Sequence, residues 1–480
     1  MSTKQQTASG VFWTSISTFT IAVIQFFQLA LLARLLEPND FGLMAMLMVV
    51  IGFANAFADM GISNAIIHHQ SVSRTQLSSL YWLNILAGIV VCLLVIALSP
   101  IIAQFYHEPR LTRLMLWAAL IFLITPFGQQ FQVLFQKNLK FQLLAVSDVI
   151  SAIIGFVVSV LAALHGQGVL ALIWGQLTTA ACRSGLLMFL GWSTWRPSLY
   201  LNLRDLGGFV SFGLYQMAER SINYFAWNMD KLLIGRLLGA TSLGVYNVAY
   251  QLMVRPFMVL NPILTRVAFP VFASIQNDNR RLSRGYIKLS QIIAFANCPI
   301  YFCMFALAQP LILLLLGSQW QPAIPVFQIL VWLGALYSLG NPLGSLLLAK
   351  GRADLGFWIN LSGLIVYAIA ILVGSQWGIM GVTWALLLSN ALILIPIDFW
   401  IRWVLVKMRP DDYMIRIAPF VLLSTVLMLG MMTIYPVLPG VLWLKLVFSV
   451  VFGGMFYLGS TWLFQRQFVL ELISVARTKD

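Results

Sequence analysis

Apolar runs of about twenty residues recur along the whole chain, and that recurrence leaves few folds open. One such run is the length a helix needs to cross a bilayer. Inside the hydrocarbon, backbone groups must find their partners within the segment itself, so each run reads as a membrane helix. Fourteen are expected, at approximately 11–36, 41–67, 77–105, 111–135, 141–164, 169–192, 206–238, 243–272, 287–316, 322–349, 355–374, 379–406, 414–434 and 441–464. A chain that is 60% hydrophobic and 9% charged agrees with an all-α integral membrane protein. Cys92, Cys182, Cys298 and Cys303 all fall in apolar segments, which predicts buried thiols and no disulfide framework.

The 29 Lys and Arg against 15 Asp and Glu would point to nucleic acid in a soluble protein. Here they report topology, because cations gather in cytoplasmic loops. Alternate connections carry Arg74, Lys137, Lys140, Arg196, Arg204, Arg280, Arg281, Arg284, Lys350, Arg352, Lys407 and Arg409, whereas the opposite side has Arg34, Arg110, Arg113 and Arg236. Both termini are therefore expected in the cytoplasm, which requires an even number of helices. Lys4 precedes the first run and no small-residue cleavage site follows it, so that run is expected to be retained. The outer connections are as short as LEPND and HGQG, leaving little room for the acceptor site of a membrane glycosyltransferase or polymerase. No phosphate-binding G-x-x-x-x-G-K-[ST] loop occurs. His68 and His69 have no acidic or Cys partner at ligand spacing, so no metal site is expected.

A repeat organises the first twelve helices. RLLEPNDFG at 34–42 aligns with RLLGATSLG at 236–244, PFG at 126–128 with PLG at 342–344, and GVLALIW at 168–174 with GIMGVTW at 378–384. The offsets of 202, 216 and 210 make one six-helix unit appear twice in parallel, which is a transporter architecture. The expected organisation is a six-helix bundle over 1–196, a second over 197–408, and two further helices with a tail over 409–480.

The seventh helix is the exception to apolarity. It carries Glu219, Arg220, Asp230 and Lys231. Residues eleven apart on a helix differ by about 20°, so Glu219 stands over Asp230 and Arg220 over Lys231. Asn223, Tyr224 and Trp227 lie between them on nearly the same side. In the first repeat the corresponding positions are Ser17, Thr18, Gln28 and Leu29, polar in part but uncharged. Ionisable groups at membrane depth are costly and usually functional.

The segments Leu32-Ala33-Arg34-Leu35-Leu36, Asp40-Phe41-Gly42, Asp59-Met60-Gly61, Asp230-Lys231-Leu232-Leu233-Ile234-Gly235 and Leu243-Gly244-Val245-Tyr246 resemble polysaccharide exporters of the multidrug/oligosaccharidyl-lipid/polysaccharide superfamily. Within it, they look most like the colanic acid and O-antigen flippase branch, over the first twelve helices. The resemblance implies two six-helix bundles around a central cavity that opens alternately to either side of a bacterial inner membrane. It implies as cargo an oligosaccharide repeat unit on undecaprenyl pyrophosphate, moved from the cytoplasmic to the periplasmic leaflet. Membrane lipids, a polysaccharide polymerase and chain-length machinery are the implied partners, and nucleic acid is not.

An anionic pyrophosphate with acidic sugars calls for guanidinium groups, which bind phosphate oxygens bidentately. Arg220, Arg255 and Arg266 are the candidates, with Lys231 as a weaker one that has the alternative of snorkelling to the interface. Tyr224 and Trp227 offer ring faces to sugars, and Asn55, Asn223 and Asn228 offer amides. The competing reading pairs these cations with Glu219 and Asp230 as internal ion pairs. Asp59, Glu219 and Asp230 are the candidates for binding a coupling H+ or Na+, since a carboxylate in a low-dielectric cavity titrates closer to neutrality. No organic cofactor is expected. Two rival functions stay open, a drug or metabolite exporter on the same fold and a membrane glycosyltransferase or polymerase.

Overall fold

The computed structural model describes residues 3–58, 66, 72–202 and 207–477. Every regular element among them is helical. In chain order they are α1 (Thr3–Leu35), α2 (Pro38–Ala58), α3 (Arg74–Tyr106), α4 (Arg110–Ala118), α5 (Ile121–Lys137), α6 (Phe141–Leu164), α7 (Val169–Gly191), α8 (Gly207–Ser274), α9 (Asn279–Ala306), α10 (Ala308–Leu315), α11 (Ala323–Gly340), α12 (Pro342–Ala349), α13 (Ala353–Gly374), α14 (Gly378–Ser389), α15 (Ile395–Val406), α16 (Pro410–Val437), α17 (Leu442–Phe464) and α18 (Arg466–Arg477). The chain divides into two compact units, Met1–Gly244 and Val245–Asp480.

Eleven helical segments among the described residues are long and apolar enough to span a membrane, against the fourteen expected. Three places account for the difference. Asn223–Pro262 is 40 residues and Ala353–Val406 is 54, each counted as one segment. At 1.5 Å per residue a straight 40-residue helix is about 60 Å long, twice the hydrocarbon thickness. The first is broken at Gly239, whose φ of 78° and ψ of 179° are not helical. The second contains the 3₁₀ turn Ser375–Trp377 and Gly378 at φ 69°. The third is α7, which has the length to span but is not among the eleven, because Gln176, Thr178, Thr179 and Arg183 lower its hydropathy.

Helix ends follow their local chemistry. Ser73 caps α3 in a reciprocal box, accepting from the Gln76 backbone N–H at 3.1 Å while its own N–H donates to Gln76 Oε1 at 3.0 Å. Asp278 caps α9 by accepting from the N–H groups of Arg280 and Arg281, both at 3.0 Å. The Arg281 N–H bond holds this exposed carboxyl below the ordinary carboxylate range.

In the first unit α6 packs on α7 and α1, and α5 on α7. Lipid supplies no hydrophobic drive between helices, so close approach depends on small side chains. A Cβ on Gly155 would meet Thr179 Oγ1, and one on Gly175 would sit 2.6 Å from the Ser159 Cβ. The α6–α7 contact thus brings two backbones together and fixes which face of α7 turns toward α5. The paired turns of the repeat also touch within this unit. A Cβ on Gly42 would strike the Ala240 carbonyl oxygen, and one on Gly244 the Pro38 carbonyl oxygen. Each contact is the other shifted by the repeat offset of 202.

In the second unit α9 packs on α11 and α16, and α13 on α14. Asn261, the repeat counterpart of Asp59, is buried there. Its Oδ1 accepts from Asn297 Nδ2 at 2.9 Å and Ser338 Oγ at 3.1 Å, and its Nδ2 donates to the Ser338 carbonyl at 2.9 Å.

Two outcomes are expected. Gly175→Leu overpacks the α6–α7 contact and costs about 1–3 kcal/mol, read as a lowered Tm of the purified protein in detergent. Asp278→Ala lowers the Tm while Asp278→Asn largely preserves it, because Asn caps as well as Asp. The folded carboxyl titrates lower than the unfolded one, so its contribution is complete above the unfolded pKa near 4. The Asp278→Ala deficit therefore shrinks as pH falls through the acidic range, and Tm against pH checks it.

Candidate functional site

The first unit contains a cavity of about 770 Å³ between α1, α2, α5, α7 and the start of α8. Its wall is built from helix stripes. On α5 the residues Thr125, Gln129, Gln132 and Gln136 are spaced four, three and four apart, which places them within roughly 100° of arc over about 16 Å. On α7 the same spacing aligns Gln176, Thr179 and Arg183, and α1 adds Gln25 and Gln28. Asn55 of α2, Ser184 of α7 and Arg220 of α8 add to the polar lining. Beside the α5 stripe, Phe131 and Val133 are buried, and Phe131 lies 5.5 Å from Trp195 and 6.4 Å from Tyr81 between ring centroids. That aromatic packing anchors α5 so that its amides face the cavity.

Several lining groups are held in place. Gln28 Nε2 donates to Ser159 Oγ at 3.2 Å, and Gln129 Oε1 accepts from Asn84 Nδ2 at 3.1 Å. Arg183 Nε bonds Asp148 Oδ1 at 2.6 Å, so this cation carries its own counter-charge from α6. Among the described lining residues none is Asp or Glu.

Of the sequence candidates, Arg220 and Asn55 line this cavity. Tyr224 turns its hydroxyl to α2, donating to the Met48 carbonyl at 2.7 Å. Asn228 Nδ2 donates to the Tyr224 carbonyl at 2.9 Å, and its Oδ1 accepts from Lys231 Nζ at 2.9 Å. Asp230 Oδ1 accepts from the Lys231 backbone N–H at 2.8 Å. Asn223 is exposed, as is Trp227 at 71%. Neither belongs to the lining. Arg255 lies in the second unit, partly buried. Asp59 lies outside the described residues, as do the side chains of Glu219 and Arg266.

The six lining glutamines and Arg183 were not among the site candidates. Their signal was present as amides three and four apart within apolar helices, at 25 and 28 and at 129, 132 and 136.

Comparison with known proteins places the chain. Residues 31–325 match the family described as polysaccharide biosynthesis protein. The lipopolysaccharide biosynthesis protein WzxC of Escherichia coli (strain K12) is 37% identical over 389 residues, covering 81% of this chain and 79% of that protein. The teichuronic acid biosynthesis protein TuaB of Bacillus subtilis (strain 168) is 34% identical over 86% of this chain and 85% of its own length. Among solved structures, the inward closed conformation of the lipid II flippase MurJ superposes with a TM-score of 0.75 at 14% identity, covering 96% of this chain and all of that one. That likeness is one of fold. With a family match across more than half its length and relatives above 30% identity over most of it, this multi-pass membrane protein belongs to the polysaccharide biosynthesis protein family.

Proposed function

We propose that the chain is a flippase that moves a lipid-linked oligosaccharide, built on undecaprenyl pyrophosphate, from the cytoplasmic to the periplasmic leaflet of a bacterial inner membrane. Both termini face the cytoplasm in this reading, as the distribution of Lys and Arg among the connections requires. The observation that carries it is the 770 Å³ cavity at membrane depth, lined by amides and two arginines. Amides and guanidinium groups facing a cavity from within apolar helices are costly in a membrane and usually functional, so a polar occupant accounts for them. Sugar hydroxyls match the amides, and a phosphate or uronate oxygen matches Arg220. The names of the relatives, which include a succinoglycan biosynthesis transport protein of Rhizobium meliloti, support translocation of a saccharide.

A carrier of cationic drugs is less well served by a lining that includes Arg183 and Arg220. The work proposed is movement without covalent chemistry, and a polymerase acting on the delivered unit is the partner it implies. The translocation is coupled to a gradient of H+ or Na+, for which Asp59, Glu219 and Asp230 are the proposed carboxylates.

Deleting the gene should cause an undecaprenyl-linked oligosaccharide to accumulate, and mass analysis of the lipid extract identifies it. Full polymer export with no accumulation rejects the flippase reading. Arg220→Gln, at wild-type protein level, should lower export about tenfold or more, the scale of one hydrogen bond to a charged group; unchanged export removes Arg220 from the site. In proteoliposomes the transport rate should respond to an imposed pH or Na+ gradient. Indifference to both gradients dismisses ion coupling.

A further inference from the structure

We infer that the α5–α7 stripe is a binding subsite for uncharged sugar residues, read through their hydroxyl and acetamido groups, and that glutamine side chains set the glycan specificity. The inference rests on the flippase reading and narrows its cargo.

The argument is one of donor and acceptor balance. Among the described lining residues seven are carboxamides, six from glutamine and one from Asn55. Each carboxamide offers donors and an acceptor together, as does each sugar hydroxyl or acetamido group. An ionised uronate or phosphate is acceptor-only, so a wall built for it would hold donors in excess, as Lys and Arg do. In this described lining, carboxamides outnumber cations, and Arg183 is bonded to Asp148 at 2.6 Å. The chemistry of this stripe is therefore that of a neutral polyol site.

Geometry supports the same reading. Gln25, Gln132 and Gln136 make no side-chain hydrogen bond among the described residues, so their amides are available to an occupant. Gln28 and Gln129 are instead oriented by Ser159 and Asn84. The stripe of Thr125, Gln129, Gln132 and Gln136 extends about 16 Å, long enough for an oligosaccharide rather than one ring. Uncharged amides also suit a carrier that must release its load. A net hydrogen bond between neutral groups contributes about half as much as one to a charged group.

The test uses the full chain in lipid nanodiscs and two soluble probes, the neutral triacetylchitotriose and the acidic trigalacturonate, followed by saturation-transfer-difference NMR. Triacetylchitotriose should bind, with Kd changing less than about twofold between 0.05 and 0.5 M salt, because screening acts on charges. Gln132→Leu combined with Gln136→Leu should weaken it about tenfold, the scale of two neutral hydrogen bonds. A Tm within a few degrees of wild type guards against misfolding, and Gln132→Asn, which keeps the amide but shortens it, should fall between the two. The inference is overturned by binding of trigalacturonate alone with steep loss at high salt, by binding of neither probe, or by wild-type affinity in the double variant. If any of these occurs while the deletion strain still accumulates a lipid-linked oligosaccharide, the subsite falls and the flippase reading stands.

Discussion

Packing of α6 on α7 through glycine and hydroxyl side chains is the interaction on which the first unit depends. Hydrocarbon gives no hydrophobic reason for helices to associate, so they hold together where backbones approach closely. Gly155 and Gly175 allow that approach, with Ser159 and Thr179 filling the seam. Because the seam consumes one face of α7, the flanking stripe of Gln176, Thr179 and Arg183 is left along the cavity. A bulky residue at the seam would rotate or displace that stripe. The geometry of the cavity wall is therefore tied to the packing of the seam, and Gly175 and Thr179 belong to both. Gln28 shows the coupling directly, since its amide lines the cavity while bonded to Ser159 in the same seam.

The repeat is visible as chemistry as well as sequence. Gly42 faces the carbonyl of Ala240 and Gly244 faces that of Pro38, two contacts related by one offset. Reciprocal contacts of that kind arise when duplicated turns meet about a pseudo-twofold axis, and a side chain at either glycine would part both. Beyond these turns the copies have diverged. Gln28 lines the cavity where its counterpart Asp230 accepts from a backbone N–H, and Asn261 closes a buried amide network where its counterpart is Asp59.

Much of this was legible in the sequence because membranes make hydropathy and charge placement informative. The helical class, the repeat and the family followed from run length, short motifs and their spacing. The span count did not carry over as fourteen, since Gly239 and Ser375–Trp377 break helices that remain continuous by length and composition. Charge drew attention to α8, where Arg220 does line the cavity. Tyr224 was read for its ring face and Asn228 for its amide, and a sequence cannot show that the Tyr224 hydroxyl donates to a carbonyl of α2 or that the Asn228 amide bonds Lys231. The glutamines escaped because an uncharged amide barely disturbs an apolar run. Their periodicity was the legible sign, and α7 carried a second one, a span-length helix too polar for lipid on all sides.

How the chain treats its buried cations bears on what remains for a cargo. Arg183 is bonded to Asp148. Arg402, 3% exposed, lies 3.7 Å from Asp398 and within 5.3 Å of the ring centroids of Phe399, Tyr413 and Tyr286. Those rings come from α15, α16 and α9, so a guanidinium fastens three helices through π faces as well as through charge. Both arginines are thus paired within the bundles. A membrane chain with a formal charge of +14 need not contain a strongly positive cavity, because much of that charge lies in the connections and part of the remainder is paired within the bundles. In the proposed reading Arg220 contributes to attraction of an anionic lipid headgroup, while the glycan is recognised by neutral amides whose strength salt does not control.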